Sequence, residues 1–302
     1  MTGNISGAVL EQDLQRMPQL KGSLLEGRGL KSRIFTGITW VLAILASLPL
    51  FSVIFMLIAK GGARINLETL TALPPAAFEF GGGIGPAIVG TAVMVLIASA
   101  ISIPIGLLAA IYLAEIDPYS RLAQTARFLA KVLTGFPSIL AGVFVYAAIV
   151  VAMKTYSAWA GGVALAVLML PTIILTAEEA LKQVPQKMKD AAYGMGCTRA
   201  QVISKVTLPT GIPGVVTGVL LAVAGAAGES APLLFTALFS TYFINGFEGL
   251  SEPTSSLSIL IYNFSGMPYD NQIELAWTAS LVLVLIILVF NILARVLGRQ
   301  KH

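Results

Sequence analysis

The sequence lacks most of what catalysis or metal binding would need. Among 302 residues there is one cysteine, Cys197, and one histidine, His302. A Cys/His zinc site and a thiol–imidazole catalytic pair are excluded by count, and a lone cysteine makes no intramolecular disulfide. Cys197 reads as filler for a small gap, and His302, beside Lys301 at a chain end, takes no role. No Gly-Lys dipeptide occurs, so there is no P-loop, and the chain does not bind and hydrolyse ATP in the usual way. Gly81-Gly82-Gly83-Ile84-Gly85 does not match a dinucleotide fingerprint, because its glycine offsets are wrong and no strand precedes it; it reads as a flexible entry to a helix. Charge is scarce as well, at 11% of residues.

What is abundant is apolar surface, 56% of the chain. Uninterrupted apolar runs of about 20 residues cannot be hidden by a soluble domain, whereas a bilayer solvates them. Backbone groups in hydrocarbon must be satisfied internally, which leaves helices or a closed barrel, and the run lengths select helices. The fold class is therefore all-α, a polytopic membrane protein with six spans at about 34–59, 85–114, 132–153, 159–177, 210–237 and 273–294. Residues 1–33 read as a polar N-terminal tail, 34–296 as the transmembrane domain with a loop at 178–209, and 297–302 as a short C-terminal tail. Arg16, Lys21, Arg28, Lys31 and Arg33 make the leading region too long and basic for a cleaved signal peptide.

Sorting Lys and Arg by alternate loops orients the chain. The N-terminal tail holds five, the 115–131 loop three, the 178–209 loop five and the C-terminal tail three, against Lys60, Arg64 and Lys154 on the other side. Cationic residues stay preferentially in the cytoplasm, which places both termini and the 178–209 loop there. The net charge of +4 then reflects orientation and contact with membrane lipid, with no nucleic-acid partner. On the outer side, residues 238–272 carry no Lys or Arg, and their aromatic, Gly and Pro content suggests short ordered pieces at the interface.

The most polar stretch between two apolar runs is Asp190-Ala191-Ala192-Tyr193-Gly194-Met195-Gly196, followed by Val206-Thr207-Leu208-Pro209. Pro185 breaks the helix that leaves the membrane from Glu178, and Asp190-Ala191-Ala192 suits a short second helix. Gly194 and Gly196 end it in left-handed backbone, and Leu208-Pro209 redirects the chain into the next span. An acid-Ala-Ala triplet, a glycine and a Leu-Pro at these offsets resemble the loop of ABC importer permeases, which is usually written with Glu where this chain has Asp190. Small residues there permit close approach, so Asp190, Ala191, Ala192, Gly194, Gly196, Val206, Leu208 and Pro209 are the expected contact with an ATPase.

A second stretch, Gly228-Glu229-Ser230-Ala231-Pro232-Leu233-Leu234-Phe235-Thr236, puts a carboxyl group near the outer half of the fifth span, where ionisable residues usually face a cavity or a partner. With Phe136-Pro137-Ser138-Ile139, Gly142-Val143-Phe144-Val145-Tyr146 and Leu275-Ala276-Trp277, it is similar to the A-type permease of phosphate-specific ABC importers, over roughly residues 31–301. The resemblance implies a type I ABC importer permease fold. It also implies a heterodimer with a C-type permease, a pair of ATPase subunits that hold ATP and magnesium, and a phosphate-binding protein on the outer face. In that scheme this chain binds no cofactor or metal and is not an enzyme. Alternating access would be driven through the 190–209 loop.

The translocation-path candidates are Glu229, Ser230, Ser138 and Pro137, the last beside free backbone groups in a proline-perturbed span. The family often carries a basic residue four positions before the glutamate, one helical turn away; here Gly225 stands there. None of the six expected spans contains Lys or Arg, so the expectation is that Glu229 is protonated or paired with a cation of the partner permease. The alternatives are a permease for another oxyanion, molybdate or sulfate, and a proton-driven secondary transporter using Glu229. A membrane enzyme is the weakest reading, since Asp190 and Glu229 lie on opposite sides of the membrane.

Overall fold

The computed structural model describes residues 27–297, with side chains from residue 31 onward. All regular structure within them is helical. Most of the expected N-terminal tail and nearly all of the C-terminal tail lie outside the described residues.

The chain divides into two units, Met1–Phe55 and Met56–His302. The first is represented by α1, Gly27–Met56, whose 30 residues extend about 45 Å, more than the roughly 30 Å of a hydrocarbon core. Helix therefore begins before residue 34, inside the expected tail.

The second unit begins with a wide π turn, Leu57–Gly61, and a single 3₁₀ turn. It continues through α2 (Leu67–Thr71), α3 (Gly85–Ile116), α4 (Arg121–Thr134) and α5 (Ser138–Met153). Then come α6 (Ala158–Lys182), α7 (Gln186–Gly194), α8 (Arg199–Gly228), α9 (Ala231–Thr236), α10 (Leu257–Ser265) and α11 (Asp270–Leu297). Five described helices, α1 extended to Arg64 with α3, α6, α8 and α11, are long and apolar enough to cross a membrane, and the bent pair α4–α5 brings the number to six.

Lipid is as apolar as a leucine side chain, so close backbone approach rather than hydrophobic transfer holds such helices together. α6 packs centrally against α3 and α8, and α11 closes on α8. At Gly106 a Cβ would lie 2.7 Å from Ile173, and at Gly218 only 2.2 Å from Thr176 Oγ1; these contacts bring α3 and α8 against α6. Met94, Leu165, Met169, Ile173 and Leu233 fill the space between.

Three breaks differ from the sequence expectation. The span expected at 132–153 starts at Ser138, because residues up to Thr134 belong to α4, which meets α5 at 107°. Pro137 is the N-cap of α5 in extended backbone, and the residue before a proline is itself pushed out of the α region. The span expected at 210–237 ends at Gly228, where Glu229 turns to extended backbone (ψ 129°) and Pro232 starts α9 from its second position.

Beyond α7 the chain is not redirected at Leu208-Pro209. Helix runs unbroken from Arg199 to Gly228 through a π turn at Ile203–Thr207. Pro209 sits in the first turn of the regular helix that follows, where the π turn relaxes the demand for its missing N–H. As expected, the helix that leaves from Glu178 is interrupted at Pro185: α6 ends at Lys182 and Pro185 caps α7. Between α9 and α11, residues 248–251 form a 3₁₀ turn and α10 is buried along Leu257–Leu260.

Candidate functional site

The loop between α6 and α8 is a helical hairpin built on three local devices. Pro185 supplies the N-cap of α7. At the other end the N–H of Gly196 donates to Tyr193 O (2.9 Å) and that of Cys197 to Ala192 O (3.1 Å). That pairing is a Schellman closure, and it places Gly196 in the left-handed region at φ +84°. Gly194 stays helical as the last residue of α7, so the left-handed conformation belongs to Gly196 alone of the two. Thr198 then opens α8 with a reciprocal capping box, its side chain accepting from Gln201 N and Gln201 Oε1 accepting from Thr198 N.

α7 has two faces. Lys189 and Ala192 are buried against the protein body, while Met188, Asp190, Ala191, Tyr193, Gly194 and Met195 face out. Asp190 accepts from Gln186 Nε2 at 2.9 Å, one turn back on the exposed surface. Sequence reasoning picked the small residues and missed Met188, Tyr193 and the 78% exposed Met195, which make the projection's tip apolar. Their signal was apolar residues inside an otherwise polar loop. Further along, Val206 and Leu208 are half-buried in the helix that carries exposed Pro209.

Beneath the projection lies a second feature that sequence reasoning missed. Glu178, one residue beyond the apolar run 159–177, is buried and receives Arg127 (2.7 Å) and Lys182 (2.6 Å). The two cations share one carboxylate oxygen and offset the cost of burying the charge. Lys189 meets Glu115 at 2.5 Å, both nearly buried.

A trough runs along the exposed side of α8 in three connected stretches. The first, about 580 Å³, is lined by Lys131, Lys182 and Thr217 among others; the next, also about 580 Å³, by Thr217, Leu221, Asn291 and Arg295. The last, about 480 Å³, is lined by Leu221, Gly225, Asn291, Glu229 and Ser230. The first stretch also holds Arg127, Glu178 and Glu179, so cations and carboxylates are mixed at that end, whereas Glu229 is the charged residue at the other. Among the described residues Glu229 makes neither an ion pair nor a side-chain hydrogen bond; its backbone carbonyl accepts from Ser258 Oγ at 2.8 Å. A Cβ on Gly225 would meet nothing within 4 Å, so the trough is open one turn below Glu229.

Of the four path candidates, the structure brings Glu229 and Ser230 together in the trough. Pro137 and Ser138 stand instead at the foot of α5, at the sharp bend. One turn above Ser138, a Cβ on Gly142 would lie 2.5 Å from Pro232 Cα, so α5 and α9 touch through backbone just beyond the Glu229 break.

Residues 102–301 match a protein family described as binding-protein-dependent transport system inner membrane component. The phosphate transport system permease protein PstA of Yersinia pestis is 38% identical over 273 residues, covering 90% of this chain and 92% of its own. A probable phosphate transport system permease protein PstA of Methanocaldococcus jannaschii is 40% identical over 263 residues, covering 86% and 91%. Among solved structures, an inward-facing MetNI methionine ABC transporter superposes with TM-score 0.56 at 22% identity, over 72% of this chain and 95% of the other. A bacterial ABC transporter involved in alginate import gives 0.59 at 15% identity, over 96% and 98%. At those identities the shared property is the fold.

Proposed function

This chain belongs to the family of binding-protein-dependent inner-membrane transport components, and on that premise we propose that it forms half of the phosphate path of an ATP-driven importer. It is a multi-pass membrane protein of the type I importer permease fold. The observation that carries the substrate is the 38–40% identity to phosphate permeases across nearly the whole chain, including the Glu229 stretch and the hairpin.

The physical reading supports the same assignment. The trough on α8 is a half-channel that a second permease would complete, and at its inner end Arg127, Lys131, Lys182 and Arg295 outnumber Glu178 and Glu179, which gives the sign an anion needs on release to the cytoplasm. The outward face of α7, with Asp190, Ala191, Gly194 and the apolar tip, offers the ATPase a compact knob. The chain is a non-enzymatic subunit in this reading. ATP and magnesium reside on a pair of partner ATPase chains, a C-type permease closes the path, and a phosphate-binding protein delivers from outside. Both termini and the hairpin face the cytoplasm, and no nucleic acid takes part.

Glu229 is the site where the reading is sharpest. An unpaired carboxylate would repel phosphate, so Glu229 meets a cation of the partner permease across the open space at Gly225. The test is radiolabelled phosphate uptake by vesicles containing the complex co-purified from membranes, wild type against Glu229→Gln. ATP-dependent phosphate uptake that excess molybdate and sulfate do not compete away supports the assignment. Uptake by the chain without an ATPase would overturn it in favour of a proton-driven carrier. Wild-type rate and coupling in Glu229→Gln would remove any need for the carboxylate.

A further inference from the structure

The cytoplasmic end of α3 is a meeting point for three cations from three different elements. Between Tyr112 and Ile116 the helix widens into a π turn, closed by Asp117 N donating to Tyr112 O at 3.2 Å. Helix ends leave carbonyls without intrahelical partners and carry partial negative charge. Arg127, from α4, donates to the carbonyls of Leu113 (3.3 Å) and Pro118 (3.5 Å) while also holding Glu178 at the foot of α6. Arg199, at the start of α8, donates to the carbonyls of Glu115 (Nε–O 3.0 Å) and Ile116. Lys189, on the inward face of α7, reaches the Glu115 carboxylate at 2.5 Å, with side-chain exposures of 10% and 8%.

The Lys189 contact differs from the others in what it joins. The backbone of α7 packs closely against residues 199–207, the next part of its own hairpin. Its reach to α3 is made by a side chain, and a lysine next to the solvent-facing Asp190 is drawn inward to make it. A push on the outer face of α7 therefore has two routes inward: the covalent chain into α6 and α8, and Lys189 into α3.

We propose that the Lys189–Glu115 pair is a positioning strut, which delivers displacement of the α7 hairpin to the cytoplasmic end of α3 and, through Arg127 and Arg199, keeps the inner ends of α3, α4, α6 and α8 moving as one body. The proposal rests on the transport reading above and adds to it a residue pair and a route. The pair works by being buried and directional; a neutral isostere at either position leaves the other charge without its partner and detaches the hairpin from α3.

The experiment uses the whole co-purified complex in vesicles and measures phosphate uptake and ATP hydrolysis in the same preparation. Lys189→Met and Glu115→Gln are each expected to lower phosphate moved per ATP by about 5-fold or more, the lower end of typical coupling between sites. The ATPase is expected to remain bound and hydrolysing. The swapped double variant, Lys189→Glu with Glu115→Lys, is expected to recover most of the ratio, and the ATPase binding and hydrolysis retained in the single variants separate this from a loss of folding. Wild-type ratios in both single variants, or a double variant no better than the worse single, would overturn the strut. A wild-type complex that shows no ATP-dependent phosphate uptake would instead overturn the transport reading, and the strut with it.

Discussion

Replacing Gly196 separates two explanations of the hairpin that otherwise look alike. The residue is the left-handed closure of α7, at φ +84°, and a Cβ there would meet nothing within 4 Å. The cost of a side chain is thus one of backbone conformation, about 1–2 kcal/mol for an ordinary L-residue. At 1.4 kcal/mol per factor of ten, that is roughly a 5- to 30-fold loss in the population of the closed hairpin. Asparagine visits the left-handed region more readily, so Gly196→Asn is expected to be milder than Gly196→Ala, and Gly196→Val, β-branched, worse than both. Gly194 also has open space around its Cβ position but sits in regular helix, so Gly194→Ala is expected to be neutral or slightly favourable for the hairpin itself. The assay is titration of the ATPase chain onto solubilised permease, read as binding and as transport-coupled ATP hydrolysis, with membrane insertion as control. Were the surface at 196 to act only by touching the ATPase, side-chain size would decide the order, and Asn would be worse than Ala. That order would refute the conformational account.

Two further substitutions follow from the packing. Gly142→Ala puts a methyl 2.5 Å from Pro232 Cα, where backbone has to move, and overpacking of this kind costs about 1–3 kcal/mol; a lower melting temperature of the solubilised chain checks it, and an unchanged one rejects the contact. Glu178 is buried with Arg127 and Lys182 on one carboxylate oxygen, so Glu178→Gln, which leaves both cations without their charge partner, is expected to lower the melting temperature of the solubilised chain, and an unchanged one rejects a stabilising role for the cluster.

The sequence disclosed those parts of the architecture that depend on local patterns. Apolar runs of span length, the acid-Ala-Ala triplet and the glycine that closes it are all read within a window of about 20 residues, and each has a helix or a turn to show for it. The breaks at Pro137 and at Glu229 were not placed correctly, and the reason is specific to lipid. Pro49, Pro104, Pro171 and Pro213 all lie inside continuous helices, so a proline in an apolar run does not say whether the helix ends there. Apolar composition likewise continues across Glu229 and conceals the change of direction.

The contacts that join the hairpin to the membrane helices were out of reach for a different reason. Lys189 finds Glu115 across 74 positions and Arg199 finds the same residue across 84, and such pairings exist only once α3, α6 and α8 have packed. That packing is set where side chains are missing, at Gly106 and Gly218, and hydropathy assigns those positions almost no weight. In lipid, where burying one more methyl group gains little, the distance between two helix axes is decided by which residues let the backbones meet. The reach from Lys189 to Glu115 depends on that distance. A methyl group introduced at Gly218, 29 residues along the chain from Lys189 and in contact with Thr176 rather than with any ion pair, is on this reasoning able to loosen the coupling connection without touching it.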